Sequence, residues 1–344
     1  MQAVARVPCR PIDRPVDRNL SGQARDTGVA SKGACMSVIT NDTEPSHPRP
    51  AGDTRLRPGA VTDRATDYGA LTVSPLTPHI GAEVDGLDLS EPLDDASIAA
   101  LRRAWADWSV LVFRDQHLDR EAHKRFGRYF GSLHTHPMNY ARAGDPEILV
   151  VRTTADSAYT AGDGWHTDVS CDAIPPMASA LYITETPECG GGDTLYADMY
   201  LAYELLSEPM QRMLEGLTAV HDGALPYVGT YKSTPPEGGY PRNEHPVITV
   251  HPETGRKVLY VNSGFTSHIR GLKPWESRAI LDALFEMIAT TPRLYCRVAW
   301  EPNTLTLWDN RCTQHHAVWD YYPYTRSGER VSVVGTEPPT GVGA

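Results

Sequence analysis

Six cysteines are spread over 344 residues, and none of them forms a C-x-x-C pair or a zinc-motif spacing. Their absence argues against a structural zinc module. In a chain of this length, Cys9, Cys35, Cys171, Cys189, Cys296 and Cys312 read as free thiols in a reducing cytosol, so a cytoplasmic location is expected. No run of about 18 apolar residues occurs, which leaves no candidate membrane-spanning helix. The N-terminus lacks the apolar core of a secretory signal. Basic residues are in the minority, 32 Lys+Arg against 43 Asp+Glu, giving a formal net charge of −11. A nucleic acid or an anionic membrane would want a basic face, so neither is expected as a partner. The charge does not argue against a small anion held in a pocket. No internal repeat is visible.

The rest of the composition is that of an ordinary globular protein, 40% hydrophobic and 22% charged. Residues 1–66 stand apart. They are rich in Arg, Asp, Pro, Ser and Thr and have no apolar periodicity. Such a segment cannot bury enough surface to offset its ordering entropy, so we expect a disordered extension ahead of a single domain at 67–340. Met36 is a candidate true start, with residues 1–35 as upstream translation. A peptide from before Met36 in the natural protein would end that idea.

From Leu71 the pattern becomes structured. Leu71–Val73 and Ala82–Asp85 read as strands around a turn at Ile80-Gly81. Asp94-Asp95 cap a helix running to Trp108, with Ile98, Leu101 and Trp105 at helical spacing. Strands are expected at 110–113, 148–151, 178–183, 247–250, 258–261, 294–300, 304–308 and 331–334. Helices are expected at 120–130, 199–206, 209–217 and 275–289. Pro252-Glu253-Thr254-Gly255 reads as a hairpin turn. Residues 223–244 carry Pro and Gly without periodicity, the mark of a functional loop such as a lid, or of disorder. Many short strands with helices before and between them point to a mainly β fold with flanking helices, a jelly roll, which forms a pocket between its two sheets.

The chemistry centres on Trp165-His166-Thr167-Asp168. Side chains alternate along an extended chain, so His166 and Asp168 would share a face. With one more imidazole they would form the two-His-one-carboxylate set that holds non-haem Fe(II) and leaves one face of the metal open. His315, in the run Leu307 to His315, is the best partner. His-x-Asp alone is common by chance, and one core His with one turn-capping Asp would produce it equally well. A second signal is cationic. Arg326 could grip a carboxylate through two parallel hydrogen bonds, with the Thr194 hydroxyl sharing it. Gly191 and Gly192 would let the backbone come close to a bound molecule. A lone Arg is usually a surface charge, but Arg330 stands four residues later and on the same strand face. Two cations facing one pocket imply two anions, a cosubstrate and a substrate.

Leu71 to Pro338 resembles the TauD/TfdA family of dioxygenases. The strings that carry the resemblance are Pro78-His79-Ile80-Gly81-Ala82, Phe113-Arg114-Asp115-Gln116, Phe130-Gly131-Ser132-Leu133-His134-Thr135-His136-Pro137, Trp165-His166-Thr167-Asp168, Gly191-Gly192-Asp193-Thr194 and Trp308-Asp309-Asn310-Arg311. The resemblance implies a double-stranded β-helix (cupin-like) that uses Fe(II), 2-oxoglutarate and O2. It implies His166, Asp168 and His315 as iron ligands, with Thr194 and Arg326 on the 2-oxoglutarate carboxylate. In sulfonate-oxidising members, a His at the position of His136 and an Arg at that of Arg330 contact the substrate anion. The position of Asn139 holds a Tyr in the taurine enzyme and that of Gly162 an Asn. These departures turn the expectation from taurine itself toward another small anion. Phe265 fits the pocket wall or the core equally well. Related halogenases lack the carboxylate of Asp168, so hydroxylation is expected over chlorination. The expected reaction converts an alkyl sulfonate to an aldehyde and sulfite. An alkyl sulfate or an aryloxyalkanoate is the alternative substrate, and a non-catalytic metal or 2-oxo acid binding protein is the alternative of a different class. A homo-oligomer is expected because family members are often dimers or tetramers. His134, His245, His251 and His316 are weaker candidates.

Overall fold

A computed structural model describes residues 67–135 and 145–343. The disorder expected for residues 1–66 lies outside the described residues. Thr72–Pro75 (β1) and Ala82–Asp85 (β2) pair antiparallel. Helix α1, Asp95–Trp108, begins where the Asp94 carboxylate accepts the Ser97 N–H at 2.8 Å. It ends at Ser109, whose φ of 61° stops the helix. Val110–Phe113 (β3) is buried throughout. Helix α2, Arg120–Arg128, is capped by Asp119. Then follow Leu133–His134 (β4), Leu149–Thr153 (β5), Ala178–Glu185 (β6) and Thr194–Asp198 (β7). Helices Met199–Glu204 (α3) and Glu208–Leu214 (α4) lead to Thr218–Asp222 (β8), Arg242–Pro246 (β9), Ile248–Val250 (β10), Lys257–Leu259 (β11) and Thr266–Ile269 (β12). Helix α5, Pro274–Thr290, precedes Tyr295–Val298 (β13), Thr304–Asp309 (β14), Thr313–Ala317 (β15) and Arg326–Val333 (β16).

The main sheet has the order β1-β2-β3-β14-β6-β16-β4, with β5 also paired to β16. A second sheet has the order β13-β7-β15. Period-2 alternation divides the residues of β3 between two cores. Leu111 and Phe113 face α1 and α2, where they meet Leu101, Trp105 and Phe126. Val110 and Val112 face the second sheet, where they meet Tyr196, Cys296 and Val298. Two sheets closing on one apolar interior make this a double-stranded β-helix. Helices α3, α4 and α5 close a further core with Val247, Ile248, Val258 and Leu259. Among the described residues no helix is long and apolar enough to cross a membrane.

Strands β7, β8, β12 and β15 form where the sequence predicts no strand, and two further departures concern the last strand and residues 223–244. The last strand begins at Arg326 and not near Val331, because it pairs with β6 on one side and with β5 and β4 on the other. Residues 223–244 are not wholly irregular. Leu225–Thr230 makes a single π-helical turn, and β9 pairs with β8. The Pro and Gly content hid both features.

Candidate active site

The chain enters the site extended. The His166 N–H donates to His315 O at 3.1 Å and the His315 N–H returns to His166 O at 2.9 Å. This isolated bridge ties the stretch to β15 and sets the two imidazole centroids 4.1 Å apart. Val169 then adopts a φ of 46°, and the chain turns directly after Asp168. Asp168 Oδ1 lies 3.8 Å from His166 Nε2 and 3.8 Å from His315 Nε2. The potential ligand atoms of the three residues all lie within 4.8 Å of one another. Gly264 makes the close approach possible, since a Cβ there would stand 2.8 Å from His166 Cβ.

The donor set fits a ferrous ion. His166 Nδ1 lies 2.9 Å from Gly164 O, so an N–H at that nitrogen leaves Nε2 as a lone pair facing Asp168. Burial pushes the pKa of His166 down and that of His315 well down, which keeps both rings in the neutral, ligating form. Burial alone would raise the Asp168 carboxyl. The Arg330 guanidinium, the two imidazoles and the Ser179 hydroxyl together outweigh it and hold the group well below the usual carboxylate range. Two neutral imidazoles and one carboxylate suit Fe(II) better than a thiolate set would. A second group, His251, Asp309 and Cys312, is also close enough to hold an ion. There the Asp309 carboxylate is already taken by Arg311 at 2.7 Å and His251 at 3.1 Å, so the group is a structural ion-pair network.

Beside the triad lies a buried cation. Thr194 opens β7 and Arg326 opens β16. Arg326 Nη2 donates to Thr194 Oγ1 at 3.4 Å, and Trp300 Nε1 donates to the same oxygen at 3.0 Å. Arg326 is 3% exposed, and no carboxylate of the described residues is within ion-pair distance of it. Its Nε has no partner among the described residues. Burial lowers its pKa from the ordinary value, the sign of a charge the protein alone does not neutralise. A buried cation of this kind costs several kcal/mol unless an anion joins it, roughly the desolvation cost of one ion. Gly192, at φ 73°, makes room for it, because a Cβ there would meet Arg326 Cδ at 2.9 Å.

Arg330 Nη1 donates to Asp168 Oδ1 at 2.6 Å, while its Nε is buried without a partner. Arg326, Arg330, the triad, Thr194 and Phe265 all border one cavity of about 780 Å³. His136 and Asn139 lie outside the described residues. The weaker histidines are elsewhere: His316 contacts Asp163 at 3.1 Å, His245 contacts Asp172 O at 2.9 Å and His134 is 3.6 Å from Asp172. Sequence reasoning missed four contributors. The Ser179 hydroxyl donates to Asp168 Oδ2 at 2.7 Å. Tyr196 lines the cavity with a buried hydroxyl that has no partner among the described residues. Two positions beyond Thr194 on one strand, it could have been found by alternation. Tyr227 and Tyr231, from the stretch read as a loop, complete the wall.

The sequence profile described as taurine catabolism dioxygenase TauD, TfdA family matches residues 72–334. The chain belongs to the TauD/TfdA family. It is 34% identical over 289 residues to an alpha-ketoglutarate-dependent sulfonate dioxygenase of Saccharomyces cerevisiae, covering 79% of this chain and 69% of that one. An alpha-ketoglutarate-dependent sulfate ester dioxygenase of Pseudomonas putida is 33% identical, covering 79% of this chain and 92% of that one. The crystal structure of a taurine dioxygenase from Burkholderia xenovorans superposes with a TM-score of 0.69 at 37% identity, covering 80% and 92% of the two chains. The structure of AAD-2 with Mn(II) and N-oxalylglycine superposes with a TM-score of 0.68 at 26% identity, covering 78% and 99%. As a TauD/TfdA member the chain is a 2-oxoglutarate-dependent dioxygenase that uses Fe(II) and O2.

Proposed function

We propose that this dioxygenase hydroxylates a small organic monoanion, with an alkyl sulfonate as the leading candidate, and that His166, Asp168 and His315 are its iron ligands. A ferrous ion held there supplies the oxidation: one oxygen atom of O2 enters a substrate C–H bond and the other enters succinate, as 2-oxoglutarate loses CO2. The protein's own groups bind, orient and neutralise. Arg326 and Thr194 hold the distal carboxylate of 2-oxoglutarate, and the Tyr196 hydroxyl is a further donor to it. Arg330 keeps Asp168 in place through Nη1 and offers its remaining N–H groups to the substrate's anionic head. The sulfonate carbon beside sulfur is the one oxidised. Its new hydroxyl then loses a proton as the C–S bond breaks, the electron pair leaves with sulfite, and an aldehyde remains.

One observation carries this reading: the guanidinium of Arg326, buried, and that of Arg330, 11% exposed at its side chain, share the cavity with one buried carboxylate among the described residues, Asp168. That leaves one net positive charge. A ferrous ion adds two and 2-oxoglutarate removes two, so one positive charge remains for a monoanion to balance. The balance disfavours a dianion such as a phosphate monoester. The name of the Pseudomonas putida relative favours a second substrate of the same charge, a sulfate monoester. An aryloxyalkanoate carries the same single charge. Oxygen uptake with Fe(II), 2-oxoglutarate and a panel of sulfonates, sulfate esters and carboxylates decides among them, with sulfite release marking the sulfonate. Binding of 2-oxoglutarate without oxygen uptake across the panel would leave only the non-catalytic binder.

A further inference from the structure

The Thr194 hydroxyl is held by two groups that can only donate. The Trp300 indole N–H reaches Thr194 Oγ1 at 3.0 Å, and Arg326 Nη2 reaches it at 3.4 Å. Neither an indole nor a guanidinium accepts a hydrogen bond in return. A hydroxyl has two lone pairs and one proton, so both lone pairs are taken and the proton must go elsewhere. Thr194 Oγ1 makes no other hydrogen bond among the described residues. Thr194 is 3% exposed, and the open space it borders is the cavity beside the triad. The O–H is left to point there, as a donor in search of an acceptor.

Trp300 is firmly placed for this. Strand β13 lies along β7 with Val298 opposite Thr194, and the chain runs on two residues to Trp300. The indole is 7% exposed and shares a core with Tyr196, Val298 and Trp308. Ala299 O accepts a hydrogen bond from Arg114 Nη1 at 2.6 Å, which pins the backbone just before it. The same ring lies under Arg326, whose guanidinium carbon stands 5.3 Å from the ring centroid, within range of a cation–π contact. One side chain therefore orients both polar groups at this end of the cavity. Its N–H sets the hydroxyl, and its face steadies the guanidinium.

We propose that Trp300 is a positioning residue for the cosubstrate: its indole N–H locks the Thr194 hydroxyl as a donor into the cavity, so that Thr194 and Arg326 together present donors alone to a carboxylate. This rests on the reading that those two residues meet the distal carboxylate of 2-oxoglutarate. Trp300 does not border the cavity itself and acts through Thr194. Without the N–H, one lone pair of the hydroxyl opens and the O–H is free to swing. The carboxylate must then order it on binding, and the polarisation passed along the chain of hydrogen bonds is lost.

The test is calorimetry with 2-oxoglutarate on the full chain loaded with Mn(II), run as a double-mutant cycle over Trp300→Phe and Thr194→Val. Thr194→Val keeps the shape and removes the hydroxyl, and Kd should rise at least about tenfold. Trp300→Phe keeps an aromatic face for Arg326 and removes the N–H. Its Kd should rise about fivefold, the worth of one neutral hydrogen bond, with Mn(II) affinity within about twofold of wild type. In the Thr194→Val background, Trp300→Phe should change Kd by less than about twofold, because no hydroxyl is left to orient. Melting temperatures check that each variant folds. Should Trp300→Phe not fold, benzothienylalanine at position 300 puts sulfur where the N–H stood, keeps the shape, and carries the same expectation. An unchanged Kd on loss of the N–H overturns the inference. Equal losses with and without the Thr194 hydroxyl also overturn it, since Trp300 would then act by packing alone. Either result leaves the Thr194 contact standing. If Thr194→Val binds 2-oxoglutarate as tightly as wild type, that contact falls and the inference falls with it.

Discussion

Asp168 uses its two oxygens differently. Oδ1 faces both imidazoles and Arg330, and Oδ2 accepts the Ser179 hydroxyl. Losing the carboxylate removes one of three proposed ligands. Asp168→Ala should therefore abolish substrate-dependent succinate formation, and full turnover in that variant would remove the assignment. Ser179→Ala is a finer probe. It leaves all three proposed ligands in place but frees Oδ2, and metal affinity should drop about tenfold to a hundredfold. Equilibrium dialysis with Mn(II) reads that directly. Tyr196 gives the opposite kind of test. Its hydroxyl is buried and unpartnered, a cost of about 1–3 kcal/mol in the ligand-free protein. Tyr196→Phe should raise the melting temperature of the free protein and raise KM for 2-oxoglutarate about tenfold. A stabilised variant with unchanged KM would show that the hydroxyl never meets the cosubstrate.

The elements that build the hydrophobic interior announce themselves in the sequence, and the elements that build the site do not. Helix α1 has an Asp cap and apolar residues at helical spacing, and β3 is an unbroken apolar run. Both form where the pattern puts them. Strand β15 reads Thr-Gln-His-His-Ala and β12 reads Thr-Ser-His-Ile, polar strings with no strand signal. They become strands because tertiary pairing overrides local preference: β15 lies along β7, with His315 opposite Tyr196. Residue chemistry and motif order singled out the triad residues, Thr194 and Arg326, and the structure brings all five to the wall of one cavity. Ser179 was not singled out, because nothing in Ala178–Ile183 distinguishes a hydroxyl aimed at Asp168 from one aimed at solvent. The turn before β7 offers a prediction at this scale. Gly192 has a φ of 73°, and an added Cβ would press on Arg326 Cδ. Gly192→Ala adds backbone strain of about 1 kcal/mol and displaces the guanidinium. KM for 2-oxoglutarate should rise at least about tenfold, while Mn(II) affinity, set on another strand, should stay within about twofold of wild type.

At the scale of the whole molecule, acid stability is governed by buried histidines. Burial pushes His123 down to about 4 and His221 down to about 3. The ordinary value in an unfolded chain is about 6.5. Each ring is therefore neutral in the folded protein at pH values where the unfolded chain already binds the proton. The stability they contribute is present above about pH 6.5. It drains away as pH falls through 6.5, and continues to do so down to about 4 for His123 and about 3 for His221. Below pH 6.5 each costs up to about 1.4 kcal/mol per pH unit, so the pair removes about 4 kcal/mol by pH 5. That is a large part of a total of roughly 5–15 kcal/mol. The net charge of −11 acts in the opposite direction, since acidification relaxes self-repulsion. That term is spread over the surface and screened by salt, whereas the imidazoles are sealed in the interior, so the histidines dominate. The melting temperature of the metal-free protein should fall by about 8 °C between pH 6.5 and 5. His123→Gln removes one such group and should lessen that dependence, with His166 and His315, also lowered by burial, retaining part of it. If the variant melts lower but with the same pH dependence, His123 titrates normally and acid sensitivity has another source.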